Sequence, residues 1–229
     1  MLTAHHVAET LSKALASGQE YSSPYRLTVF NPFSDVLYAD ILAHLPDDAF
    51  YSPLGHRDAV RPDGTSTRNM FSFKEKSLKR LPPEQAAFWR EFNAIMRSRE
   101  VCEVFLRHLE PELTRRFNMP LAEIPCYPTA RLGRDSDGYK ITPHPDSADR
   151  VYTAQVYLAE DDSQAEVGTT VYRQEDDGSF HAVRRLPFLP NTGFCFARDE
   201  HTFHGVETIS LTRPRNNLHI SCFAIDKDV

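Results

Sequence analysis

The sequence predicts a mainly β fold with helical support, and three observations carry that expectation. Up to about residue 124 the apolar residues recur at helical spacing, whereas from about Pro125 they alternate with period two. The alternating runs are short and numerous, and polar turns such as Asp135-Ser136-Asp137-Gly138 and Glu175-Asp176-Asp177-Gly178 separate them. Many short strands joined in this way build a sandwich or barrel rather than a βαβ sheet. A chain of 229 residues, 41% hydrophobic and 25% charged, suits one domain over residues 1–229, with a helical support and lid loop in 1–124 and a β core in 125–229.

In the first part, Val7, Leu11 and Leu15 are spaced by four ahead of Gly18, so residues 1–18 read as a short helix. Tyr25 to Phe30 reads as a strand. Ser34 is placed to cap a helix through Leu45 that buries Val36, Leu37, Ile41 and Leu42 before Pro46 stops it. Residues 51–67, rich in Pro, Gly, Asp and Arg, form a long loop leading into an extended piece at Asn69 to Phe73. Arg57, Arg61, Arg68 and Asn69 there are either substrate contacts on a lid or solvated loop residues. After Pro82-Pro83 a helix carries Phe88, Phe92, Ile95 and Met96 on one stripe; Val104, Phe105 and Leu109 continue it beyond a break near Ser98, and this stripe is core.

In the second part the strands are expected at Cys126 to Gly133, Tyr139 to Thr142, Val151 to Leu158, Thr169 to Arg173, His181 to Arg185, Thr192 to Phe196 and Asn217 to Ile225. A net charge of −6, with no run of Lys or Arg, gives no footprint for nucleic acid. Cys102, Cys126, Cys195 and Cys222 are far apart in the chain, which suits reduced core thiols rather than a disulfide framework or zinc site. No signal-peptide block and no membrane span is visible, so the expectation is a cytoplasmic protein acting on a small molecule, with neither nucleic acid nor membrane as partner.

The chemistry centres on Tyr139-Lys140-Ile141-Thr142-Pro143-His144-Pro145-Asp146. Residues i and i+2 of an extended segment point the same way, so His144 and Asp146 are placed to share one metal ion, read here as non-haem iron. A facial triad needs a second imidazole and open positions. His204, followed by Gly205 and Val206, is the preferred third ligand and His201 the alternative; Gly205 lets the backbone pass close to a crowded site. In the last strand Arg215, Asn217, His219 and Ser221 share a polar face opposite Leu218, Ile220 and Cys222. A guanidinium there can grip a carboxylate with two parallel hydrogen bonds, and Arg215 is preferred to Arg213. Arg131 and Arg150 flank the ligand strand and are either receivers of an anionic substrate or surface charges.

Together, His144-Pro145-Asp146, His204-Gly205-Val206 and Arg215-Asn216-Asn217-Leu218-His219-Ile220 resemble the Fe(II) and 2-oxoglutarate dependent dioxygenase superfamily over about residues 125–225. Gly168-Thr169-Thr170 and the Pro190-Asn191 turn fall where that superfamily has similar features. Asn217 departs from its frequent Arg-x-Ser pattern. The resemblance implies a double-stranded β-helix, the jelly roll also seen in cupins, with helices on one sheet. It implies Fe(II) on His144, Asp146 and His204, 2-oxoglutarate chelating that metal with its 5-carboxylate on Arg215, and O2 at the last position. Asn217, Tyr139 and Gln155 are further candidates for holding 2-oxoglutarate, and Tyr157 shares a face with Gln155. The implied reaction hydroxylates an unactivated C–H bond of a small polar metabolite such as an amino acid or biosynthetic intermediate, with desaturation or cyclisation as other outcomes. Halogenases of the superfamily replace the carboxylate that Asp146 retains. The alternatives are a peptidyl side-chain hydroxylase, or a cupin-like metalloenzyme or binding module without 2-oxoglutarate, which would leave the last-strand arginine unexplained.

Overall fold

The structure is a computed structural model that describes residues 2–225. Six helices occur among them: α1 (Ala4–Ala16), α2 (Asp35–Ala43), α3 (Glu75–Leu78), α4 (Pro83–Met96), α5 (Arg99–His108) and α6 (Glu110–Phe117). The strands are β1 (Gln19–Tyr21), β2 (Leu27–Phe30), β3 (Ser52–Pro53), β4 (Arg68–Ser72), β5 (Cys126–Asp135), β6 (Ile141–His144), β7 (Arg150–Tyr157), β8 (Thr169–Gln174), β9 (Phe180–Leu186), β10 (Gly193–Ala197), β11 (His204–Val206) and β12 (Arg215–Ala224).

Local chemistry sets the helix ends. The hydroxyl of Ser34 accepts from the Leu37 amide, and that of Ser98 from the Val101 amide, so each serine starts a helix; Ser98 thereby separates α4 from α5. Pro83 opens α4, where its missing N–H costs nothing. The apolar stripe of α4 differs from expectation in one respect. Trp89 is its fully buried anchor, with Nε1 donating to the His44 carbonyl at 2.6 Å and the indole stacked on Phe73, while Phe88 is only half-buried. In α2, Val36 is 74% exposed rather than buried, because the helix turns Leu37, Tyr38 and Ile41 inward instead.

From β5 onward the chain switches back and forth between two antiparallel sheets, with β8 and β9 as one hairpin in the smaller. The larger runs in the order β1-β2-β10-β7-β12-β5-β4-β3 and the smaller β6-β11-β8-β9. β5, β7, β10 and β12 enter the large sheet while β6, β8, β9 and β11 enter the small one, which is the double-stranded β-helix, or jelly roll. Leu132, Val156, Leu218, Ile220 and Cys222 on one face of the large sheet meet the helices in one core. On the other face Tyr157, Phe194 and Phe196 meet Val171, Leu186 and Val206 of the small sheet. The parity read from the sequence for β12 therefore holds: Leu218, Ile220 and Cys222 face the helices, and Arg215, Asn217, His219 and Ser221 face the interior between the sheets.

Several strand ends differ from expectation by one or two residues. β6 begins at Ile141 rather than Tyr139, and β12 begins at Arg215, two residues earlier than expected, because β5 extends to Asp135 and pairs it. The first part of the chain also supplies four short strands to the large sheet, of which β1 and β3 are too short to leave a period. All four cysteines are free thiols, and Cys102, Cys126 and Cys222 converge from α5, β5 and β12 to within 4.8 Å of one another. Among the described residues no helix is long and apolar enough to cross a membrane.

Candidate active site

His144 ends β6 and His204 begins β11, and the two are directly paired across the small sheet with ring centroids 4.7 Å apart. Each imidazole is held in the same way. Nδ1 of His144 lies 2.8 Å from the Thr142 carbonyl and Nδ1 of His204 lies 3.1 Å from the Thr202 carbonyl. A carbonyl only accepts, so both Nδ1 atoms donate and both Nε2 lone pairs are left for a ligand. Asp146 follows β6 by two residues. Its backbone carbonyl accepts from Arg198 Nε at 3.1 Å, Oδ1 pairs with Arg150 Nη1 at 2.9 Å, and Oδ2 takes the Thr153 hydroxyl. The same Oδ2 lies 3.9 Å from His204 Nε2, and one ligand atom from each of His144, Asp146 and His204 falls within 4.8 Å of the others.

The loop over residues 51–67 braces this strand. Asp58 accepts from the Thr142 amide at 3.2 Å and its hydroxyl at 2.6 Å. Glycine 205 is required by closeness: a Cβ there would sit 2.7 Å from the Ile141 carbonyl, so only glycine lets β11 lie against the strand that carries His144.

Burial, with help from the neighbouring His204, pushes the His144 imidazole down to about 4, so it is neutral and ready to ligate near neutral pH. For Asp146 burial acts in the opposite direction. His204, Arg150 and the Thr153 hydroxyl outweigh it and hold the carboxyl below its ordinary range. Two imidazoles and one carboxylate with open space beside them are the donor types of a facial triad.

That space is a cavity of about 150 Å³, lined by the three candidate ligands together with Arg68, Arg131, Tyr139, Arg150, Thr153, Gln155, Thr169 and His219. Hollows of about 480 and 830 Å³ lie elsewhere, against the helices. Around the small cavity, the Tyr139 hydroxyl, His219 Nε2, Arg150 Nε and Arg215 Nε are buried without a protein hydrogen-bond partner. Buried polar atoms are normally satisfied, so four orphans around one hollow mark a place for a polar ligand. Burial, then Arg68, Arg131, Arg150 and Arg215, push His219 well below its usual range and keep it neutral.

Arg215 is fully buried beneath this cavity rather than in its wall. Nη1 pairs with Asp135 Oδ2 at 2.7 Å and Nη2 donates to the Thr169 hydroxyl at 3.2 Å. Asp135 also binds Arg68, through Nε at 2.5 Å and Nη2 at 2.9 Å. Two guanidiniums thus share one carboxylate.

Of the other candidates, Tyr139 and Gln155 line the cavity. Asn217 does not; it braces the floor, accepting from Gln155 Nε2 at 2.9 Å and donating to Asp135 at 3.2 Å. The Tyr157 hydroxyl is committed to the Thr169 amide at 2.8 Å. His201 is exposed, and Arg213 is an exposed partner of Glu160 and Asp161. Arg131 and Arg150 are cavity residues and Arg57 is solvated. From sequence alone Arg68 reads as a loop candidate and Asp135 as part of a turn. Only strand register, with Asp135 opposite both Arg68 and Arg215, brings these three together.

Fold and geometry together define a jelly-roll chain with a two-histidine, one-carboxylate site beside a cationic cavity. No family model matches the sequence, and no curated protein matches it. Among solved structures, it is similar to a prolyl hydroxylase from Trichoplax adhaerens in complex with a peptide fragment of a hypoxia inducible factor, with TM-score 0.52, 11% identity, and coverage of 98% of this chain and 92% of that one. It is also similar to a prolyl 4-hydroxylase from Phytophthora capsici, with TM-score 0.54, 12% identity, and coverage of 98% of this chain and 66% of that one. At such identities the likeness is one of fold.

Proposed function

We propose that this chain is a non-haem Fe(II) and 2-oxoglutarate dependent oxygenase that hydroxylates an unactivated C–H bond of a small polar substrate. The observation that carries the reading is the convergence of His144, Asp146 and His204 to within 4.8 Å at the edge of a buried cationic cavity. The donor set fits Fe(II): hard and borderline ligands, no thiolate, and one open side. The cavity fits 2-oxoglutarate. It is small for a ligand pocket, as a five-carbon diacid requires, and Arg68 with Arg215 leave one uncompensated positive charge after Asp135 is counted. Bound Fe(II) would supply activation of O2, with 2-oxoglutarate converted to succinate and CO2, one oxygen atom entering succinate and the other the substrate C–H bond.

The chain's own residues prepare that chemistry. The Thr142 and Thr202 carbonyls fix both histidine tautomers, while Arg150 and Thr153 fix the Asp146 carboxylate. Arg215, Arg68 and the free Tyr139 hydroxyl would hold the 5-carboxylate end, with Asn217 and Gln155 bracing the floor. Leu54, Ile141 and Val206 give the cavity an apolar side that limits water. Four free thiols suit the reducing cytoplasm. Hydroxylation of a side chain on a peptide is the second reading, favoured by the likeness of fold to two prolyl hydroxylases.

Anaerobic titration with Fe(II) and 2-oxoglutarate tests the proposal. A metal-to-ligand charge-transfer band is expected in the parent and absent in His204→Ala. Folded parent protein without that band would sink the reading.

A further inference from the structure

The geometry points to Arg131 as the binding residue for an oxyanion, a carboxylate or phosphate, on the substrate to be oxidised. The inference rests on the oxygenase reading for metal and cosubstrate and adds the charge of the third component. Arg131 sits on β5 opposite His219 of β12, on the same interior face as Asp135 and Arg215 but four residues along the ladder from them. It lines the cavity that holds the three candidate metal ligands.

Every other arginine around the cavity has a carboxylate. Arg68 and Arg215 share Asp135, and Arg150 is paired with Asp146. Among the described residues Arg131 forms no ion pair or side-chain hydrogen bond. Burial, Arg150 and Arg68 act against its charge, and only Asp146, the weakest of these influences, favours it. Burying a charge without a partner is costly, and guanidinium does not escape by giving up its proton. A half-buried, unpaired guanidinium beside a reaction site is therefore poised for an anion that arrives with a ligand.

The charge count agrees. Four guanidiniums face two carboxylates, a surplus of two positive charges, and His219 is kept neutral and adds none. Fe(II) would add two and 2-oxoglutarate would remove two, so the surplus remains when both are bound. Asp135 divides it by place. The 5-carboxylate would offset the positive charge left to Arg68 and Arg215, so with both bound the surplus lies at the metal and at Arg131. The planar fork of Arg131 can take two oxygens of a carboxylate or phosphate side by side. Across the ladder, His219 Nε2 is free to bond the same group.

The test uses the full chain loaded with Mn(II) and saturating 2-oxoglutarate, with inorganic phosphate and carboxyl-labelled [13C]acetate as probes. Paramagnetic relaxation of the phosphorus or the carboxyl carbon reports an anion held near the metal, and the probe that binds tighter identifies the oxyanion class. The parent should show saturable relaxation. Arg131→Gln should bind the probe at least about tenfold more weakly, while its affinity for 2-oxoglutarate stays unchanged and serves as the control for folding. Arg131→Lys, which keeps the charge and loses the fork, should fall between. No saturable effect in the parent, or an equal effect in Arg131→Gln, overturns the assignment. So does a loss of 2-oxoglutarate affinity in that variant, which would move Arg131 to the cosubstrate. A parent that takes up neither Mn(II) nor 2-oxoglutarate would overturn the oxygenase reading itself, and this inference with it.

Discussion

Asp135 shows what a single residue can do once register is known. It holds Arg68 on one side and Arg215 on the other, and it is fully buried. Removing Arg215 leaves Asp135 with Arg68 alone as an ion-pair partner and leaves a void beneath the cavity, so Arg215→Ala should lose about 3–5 kcal/mol of stability, the usual result of breaking a buried ion pair. It should also weaken 2-oxoglutarate binding by roughly tenfold or more, the loss of one charge-assisted interaction, while Fe(II) binding changes little. Urea unfolding and anaerobic titration measure the two effects separately. Unchanged 2-oxoglutarate affinity in a folded variant would transfer the clamp to Arg68. Arg215 was legible because a lone arginine opening a polar strand face is a local pattern. Its partner was hidden, since Asp135 looks like a turn residue until β5 is laid between β4 and β12.

At the scale of elements, the site depends on β6 and β11 lying against one another, since each delivers one histidine. His144 and Asp146 could be read from spacing because both lie on one extended segment. The pairing with His204 could not, because it is set by contacts across 60 residues of chain and by a glycine whose neighbour the sequence does not name. The expectation that Gly205 permits a close approach holds, with the Ile141 carbonyl as the group approached. Gly205→Ala should therefore push β11 off β6, with a loss of about 1–3 kcal/mol in stability from overpacking and a weaker Fe(II) site. Gly55, with nothing within 4 Å of its missing Cβ, supplies the control: Gly55→Ala should change neither. Thermal unfolding of the metal-free protein and Fe(II) titration compare the two variants, and equal behaviour would show that β6 yields without cost.

For the whole molecule, the change from helical period to period two announced a β sandwich or barrel, because alternate residues of the large-sheet strands enter two different cores, one against the helices and one against the small sheet. The same burial makes stability depend on pH. His144 is pushed down to about 4 and His219 well below its ordinary value, so both stay neutral in the folded chain, whereas in the unfolded chain both titrate near 6.5. Below pH 6.5 the unfolded state binds more protons, so stability falls as pH falls, by up to about 1.4 kcal/mol per pH unit for each histidine. The lowered Asp146 carboxyl adds a further loss at more acid pH, where it too must take a proton in the unfolded chain first. Metal-free protein should thus lose stability between pH 7.5 and 5.5, and urea unfolding measures the slope. His219→Gln removes one of the two buried imidazoles while keeping a polar side chain in the cavity wall, so its loss over that interval should be smaller by about 1 kcal/mol. An identical slope in parent and variant would mean that His219 takes up a proton inside the fold, and that the ring of arginines around it is less dry than its burial implies.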